Sequence, residues 1–140
     1  GFADATGRFL PMTTTINASR ILESGRALLG VSHEEMAELA LASEPGARGV
    51  ALLPYFDGER TPNRPYATAT MTGLTNATTR EDVARAYVEG LLCSLADGIT
   101  SLEERTGTAA RTAARMAARR ASPCRSRRPG VLGEDTLMAT

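Results

Sequence analysis

Glu59-Arg60, an acid beside a guanidinium in the loop Asp57-Gly58-Glu59-Arg60-Thr61-Pro62, is the pairing in this chain best placed to do chemistry. Such a pair can face a cleft as two opposed charges. It can also staple its own loop as an ion pair, which is the commoner use. Asp57, beside Gly58, suits a plain turn. His33 is the only histidine, so no histidine-based metal cluster can form. Its place beside Glu34, in the first turn of an expected helix, points it to solvent. The two cysteines differ in setting. Cys93 sits in an apolar helical segment as a small buried hydrophobe, and Cys124 in a Pro/Arg/Ser run. Their spacing suggests neither a disulfide framework nor a zinc site, so a reducing, cytoplasmic compartment is expected.

Charge narrows the classes further. Every basic residue among the 16 counted is arginine. A GC-rich genome accounts for that, and a phosphate-binding surface is the functional rival. Residues 1–104 hold 8 Arg against 14 acids, and residues 105–140 hold 8 Arg against 2 acids. A basic tail of that kind can bind nucleic acid. This one carries no aromatic residue to stack on a base, and no reading motif accompanies it. No 18-residue apolar run indicates a membrane span. The start, Gly1-Phe2-Ala3-Asp4, lacks a signal peptide's basic and apolar regions and an initiator Met, which suggests a chain cut from something longer.

The elements that must position these groups follow from pattern. A chain of 140 residues can bury one modest core, and its 42% hydrophobic share is rich in Ala and Leu, which favours helix over sheet. Asp4-Ala5-Thr6-Gly7 predicts a turn between Phe2 and Phe9-Leu10, with Thr13–Ile16 continuing as strand. Asn17 is the expected cap of a helix closed by Gly30, with Ile16 and Ile21 as a hydrophobic staple and Ile21, Leu22, Leu28 and Leu29 as its apolar face. Ser32 and Glu35 form a capping box for a second helix that buries Met36, Leu39 and Ala40 and ends at Glu44-Pro45-Gly46. Val50–Leu53 reads as a strand buried on both faces. Pro54, Pro62 and Pro65 stiffen the loop that follows. Thr68, Thr70 and Thr72 alternate as a strand. Thr78 and Glu81 predict the capping box of a long helix. Its stripe Val83, Tyr87, Leu91, Leu95, Ile99 and Leu102 should be buried, and its small residues Ala86, Gly90, Ser94 and Gly98 should permit close packing.

This α/β order and its motifs resemble the C-terminal half of the FGGY sugar kinases, most closely the xylulokinases. The resemblance rests on the Asn17-Ala18 helix start, Leu52-Leu53-Pro54-Tyr55 with Gly58-Glu59-Arg60-Thr61-Pro62, Gly73-Leu74-Thr75, and Arg85-Ala86 with Glu89-Gly90. It covers residues 1–104, a partial C-terminal domain, leaving 105–140 as an Arg-rich, low-complexity and disordered tail. Tyr87 departs from the pattern, which has a smaller or aliphatic residue there.

The resemblance implies a ribonuclease H-like domain of the actin and sugar kinase type. It implies ATP with Mg²⁺ as phosphoryl donor to a ketose, most closely D-xylulose, and a missing sugar-binding N-terminal domain as partner. The family's catalytic Asp would lie upstream of Gly1, so no acid present takes its role. The matching nucleotide contacts are Ser19, in the first turn of the first long helix, and Glu23 four residues on. A glycine-rich phosphate loop is expected near residues 110–120, where this chain instead reads AARTAARMAARR from 109. A reading frame lost near 108 and recovered near 130, where Val131-Leu132-Gly133 again resembles the family, would explain the gap. Translating the encoding DNA in its other frames tests that: no glycine loop in either frame would sink it. The isolated chain is therefore expected to be inactive, with a non-catalytic or nucleic-acid-binding role for the tail as the rival.

Overall fold

Asp4 makes the first turn by gathering donors. Its Oδ1 accepts the backbone N–H groups of Thr6 and Arg8 and the Thr6 hydroxyl, and Gly7 supplies a left-handed φ of 78°. The hairpin so closed pairs β1 (Phe2–Ala3) with β2 (Phe9–Leu10). The computed structural model describes residues 2–107. The expectations for the Arg-rich tail, Cys124 and the frame change lie outside the described residues.

Residues 13–16 do not continue as a strand, because their N–H and hydroxyl groups turn to Glu59 instead of a β partner. Helix α1 (Ser19–Leu29) starts behind Ala18 with no side-chain cap, so Asn17 is not the cap expected of it. Its side chain is buried and committed elsewhere. Ile16 is largely exposed and makes no staple, and Leu28 points to water; Ile21 alone of the expected face is fully buried. Gly30 closes α1 in the left-handed conformation. Helix α2 (His33–Ala42) opens on the Ser32–Glu35 capping box and buries Met36 and Ala40.

Strand β3 (Ala51–Leu53) pairs antiparallel with β4 (Thr70–Thr72), Leu52 opposite Met71. The expectation of a strand buried on both faces is not met: Ala51 and Leu53 are exposed and Leu52 is half-buried. Among the described residues only α3 covers this ladder, and only on one side.

Helix α3 (Arg80–Thr106) is capped by Thr79 with Asp82 in a reciprocal box. The start is therefore one residue later than expected. Asp82 wins over Glu81 because its carboxylate is buried among further donors. The stripe also behaves differently. Tyr87 is buried, but Val83, Leu91, Leu95, Ile99 and Leu102 are half-buried, whereas Ala86, Gly90, Ser94 and Gly98 are buried. Backbones approach most closely where side chains are smallest. A Cβ on Gly90 would come within 2.9 Å of the Leu52 carbonyl oxygen. Cys93, on the same helix, is half-buried, not buried.

Helices α1 and α2 and strand β3 all pack on α3, so the long helix is the common wall of the core. Ile21, Met36, Ala40, Ala84 and Tyr87 form the main cluster; Ala47, Val50 and Ala86 extend it under the β3–β4 ladder through Leu52 and Met71. Burying such side chains stabilises by about 1.5–3 kcal/mol each before entropy.

Candidate functional site

Glu59 is the most committed polar group of the described chain. It is 1% exposed, and both its oxygens are filled. Oε1 accepts the Ile16 N–H at 2.8 Å and the Arg60 N–H at 2.7 Å. Oε2 accepts the Thr15 hydroxyl at 2.8 Å, the Asn17 Nδ2 at 3.0 Å and the Asn17 N–H at 3.4 Å. Burial alone would push this carboxyl up. The donors from Ile16, Asn17, Arg60 and Thr15 outweigh it and hold it down to about 2.

Asn17 completes the link. Its Nδ2 also donates to the Gly58 carbonyl at 2.6 Å, and its Oδ1 accepts the Phe56 N–H at 3.1 Å. The loop at 56–60 and the segment entering α1 are thus joined by six hydrogen bonds through two side chains. Arg20 adds an exposed ion pair to Asp57 at 3.1 Å, which contributes little energy but sits on the same seam.

The expected pairing of Glu59 with Arg60 takes a different form. Glu59 does staple the loop, but to Thr15–Asn17, and from Arg60 it takes only the backbone N–H; the Arg60 residue is exposed. Asp57, expected as a plain turn residue, also reaches α1.

Ser19 is the first residue of α1 and is exposed; Glu23, one turn on, is exposed on the same face. Glu23 accepts from the Arg26 guanidinium and lies 3.2 Å from the exposed His33 Nε2. Because no side chain caps α1, its first-turn N–H groups keep their affinity for an anion, which fits the phosphate end of a nucleotide beside Ser19. Magnesium finds no such fit: no cluster of three or more His, Cys, Asp or Glu that could hold a metal occurs among the described residues.

A second buried carboxylate lies across the molecule. Asp82 accepts from Arg48 Nη2 at 2.6 Å and Nε at 3.0 Å, from the Ser43 hydroxyl at 2.8 Å and from the Thr79 N–H at 2.9 Å. The Arg48 guanidinium is the main reason its carboxyl lies well below the usual range. Beside it, Arg85 pairs with Glu89 at 2.6 Å, and Glu89 accepts the Gly46 N–H at 3.0 Å. These acids fasten the turn at 46–49 to α3. They are fully occupied and offer no free base.

Sequence reasoning missed Asn17 and Asp82 as organising residues. Both looked like local caps, and each has long-range partners that no spacing announces. Arg85 and Glu89 were legible, since their i,i+4 spacing puts them on one helix face.

Comparison with known proteins agrees with this architecture. The profile of the FGGY family of carbohydrate kinases, C-terminal domain, matches residues 4–115. A xylulose kinase of Streptomyces rubiginosus is 42% identical over 95 residues, which cover 68% of this chain and 18% of that protein. The crystal structure of xylulose kinase from Bifidobacterium adolescentis superimposes with a TM-score of 0.73 at 60% identity, covering 79% of this chain and 22% of that one. Gluconate kinase from Lactobacillus acidophilus matches at a TM-score of 0.62 and 27% identity, over 66% of this chain and 20% of that one. The chain thus spans about a fifth of the length of the relatives it matches. It belongs to the FGGY family of carbohydrate kinases, whose C-terminal domain it carries in part.

Proposed function

We propose that this chain is the nucleotide-side part of a cytoplasmic, ATP-dependent sugar kinase that moves the γ-phosphoryl group of ATP to a ketose, D-xylulose. The observation that supports this reading best is the 60% identity to a xylulose kinase structure over 79% of the chain. The exposed, uncapped start of α1 supports placing the nucleotide beside Ser19 and Glu23.

ATP with magnesium supplies the transferable group and the cation that offsets its charge. This chain's residues supply placement. Ser19 and the first turn of α1 face the phosphates, and Glu23 stands one turn along for the nucleoside end. Phosphoryl transfer depends on positioning and electrostatics from both sides of a cleft, so one side alone does not turn over. The acids here that are buried are already saturated with donors.

Two assays test the reading. The isolated chain with D-xylulose and ATP should form no ADP, and turnover would refute the claim that it needs the rest of an enzyme. Replacing the matching segment of the Bifidobacterium adolescentis xylulose kinase by residues 4–104 should retain D-xylulose phosphorylation. A folded but inactive exchange protein would count against the substrate. No observation among the described residues favours the nucleic-acid reading of the tail.

A further inference from the structure

Residues 15–18 have no regular structure and no side-chain cap to fix how they enter α1. What fixes them is a carboxylate 42 to 44 positions away. Glu59 receives Thr15, Ile16 and Asn17 in turn, and Asn17 hands the loop's own backbone at Phe56 and Gly58 back to the same seam. Ser19 lies two residues beyond the last of these anchors.

A strained ion pair or a cap would hold one atom. Here three consecutive residues are held, two through their backbone N–H groups, so both the position and the direction of the chain entering the helix are set. The acceptor must be a carboxylate. All five groups it meets are donors, and a glutamine would turn an NH₂ toward at least two of them.

We propose that Glu59 is a positioning residue for nucleotide binding: through Thr15–Asn17 it sets where the open N-terminus of α1 and Ser19 present themselves to the phosphates. This rests on the nucleotide reading of Ser19 and Glu23. It assigns the acid of the Gly-Glu-Arg-Thr-Pro loop to the nucleotide and not to the sugar.

The test is an ADP titration of the full chain followed by amide NMR, repeated for Glu59→Gln, Asn17→Ala and Thr15→Val. In the unsubstituted chain the amides of Ser19, Arg20 and Ile21 should shift on titration. Glu59→Gln should weaken ADP binding by about tenfold or more, since sub-ångström misplacement of contacts has effects of that size. Thr15→Val removes one bond without disturbing a charge, so it should weaken binding less, with Asn17→Ala between. Amide protection in α2 and the middle of α3 should stay unchanged, which separates misplacement from unfolding. Equal ADP affinity across a folded series would overturn the positioning role while leaving the nucleotide reading intact. Absence of ADP binding by the unsubstituted chain would overturn both, and it is a different result from equal affinities. Should Glu59→Gln fail to fold, Thr15→Val decides: a folded variant with unchanged affinity overturns the proposal.

Discussion

Gly25 of α1 lies flat against the ring of Tyr87 of α3. A Cβ at position 25 would sit 2.7 Å from Tyr87 Cγ and Cδ1 and 2.8 Å from Met36 Cε. The ring cannot yield, because it is 4% exposed and stacked on Phe56 with centroids 6.1 Å apart. The sequence placed a large ring where its relatives' pattern has a smaller residue, and a glycine on the facing helix provides the room.

Gly25→Ala is therefore expected to destabilise the chain even though alanine gains about 1 kcal/mol in helix propensity. Overpacking of this kind costs roughly 1–3 kcal/mol. Tyr87→Leu in the same chain should relieve the clash, so the double variant should lose less than the two singles combined. Urea melts of all four proteins measure the coupling. Strict additivity would show that the two residues do not press on each other.

Arg48→Met should cost about 1–3 kcal/mol at neutral pH, the range for hydrogen bonds to a charged group. The Asp82 carboxyl is held below its ordinary 3.8, with Arg48 the first cause. A depressed carboxyl contributes stability above its unfolded value and loses it as pH falls through the folded one. The gap between Arg48→Met and the parent should accordingly close below pH 3.8. A gap that persists in acid would mean that Arg48 acts through packing and not charge.

Glu59 predicts a second acid window. Its carboxyl lies at about 2 in the folded chain against 4.5 ordinarily, so its stabilisation is complete above pH 4.5 and is lost as pH falls towards 2. The shift corresponds to roughly 3 kcal/mol. Stability measured from pH 6 to pH 2 should fall more steeply for the parent than for Glu59→Gln. Parallel curves would contradict the accounting of donors given above.

Gly73→Ala and Gly30→Ala separate two costs. Both glycines have positive φ, 78° and 66°. Gly30 faces open space, so alanine there should cost about 1–2 kcal/mol for the left-handed backbone alone. At Gly73 the new carbon would also run into the Gly49 carbonyl, which is backbone and cannot swing aside. Its variant should lose about 3 kcal/mol or more. Equal melting temperatures for the two variants would show that the backbone at 49 gives way.

Much of the fold was readable because its signals are local. The Ser32–Glu35 box, Gly30 as a left-handed stop and the Asp4 turn each act within four residues, and each lies where the pattern puts it. Failures came where a polar residue had two possible partners. Asn17 could cap α1 or fill a buried seam, and the buried carboxylate at 59 outbids an exposed helix end. Thr78–Glu81 and Thr79–Asp82 are equivalent boxes by spacing, and only the arrival of Arg48 and Ser43 from other elements decides between them. The α3 stripe misled for a related reason. Periodicity marks which side of a helix is apolar, but depth of burial follows how closely a neighbour can approach, and that is greatest at Gly90 and Ala86. At the candidate site, Glu59 was visible as a residue of interest, while its partners at 15–17 were invisible without the fold.

The seam between Glu59 and Ile16 also makes the chain a ring, since 43 positions separate them and α1, α2 and β3 all lie inside the loop they close. Contacts between α1 and α2 are short-range and can form while the ring is open. Joining the ends costs chain entropy that rises with loop length, and the carboxylate leaves water only at that moment. Ring closure is then expected to follow the main folding barrier. In a chevron experiment Glu59→Gln should speed unfolding and leave the refolding rate unchanged; a slowed refolding limb would place closure in the nucleus instead.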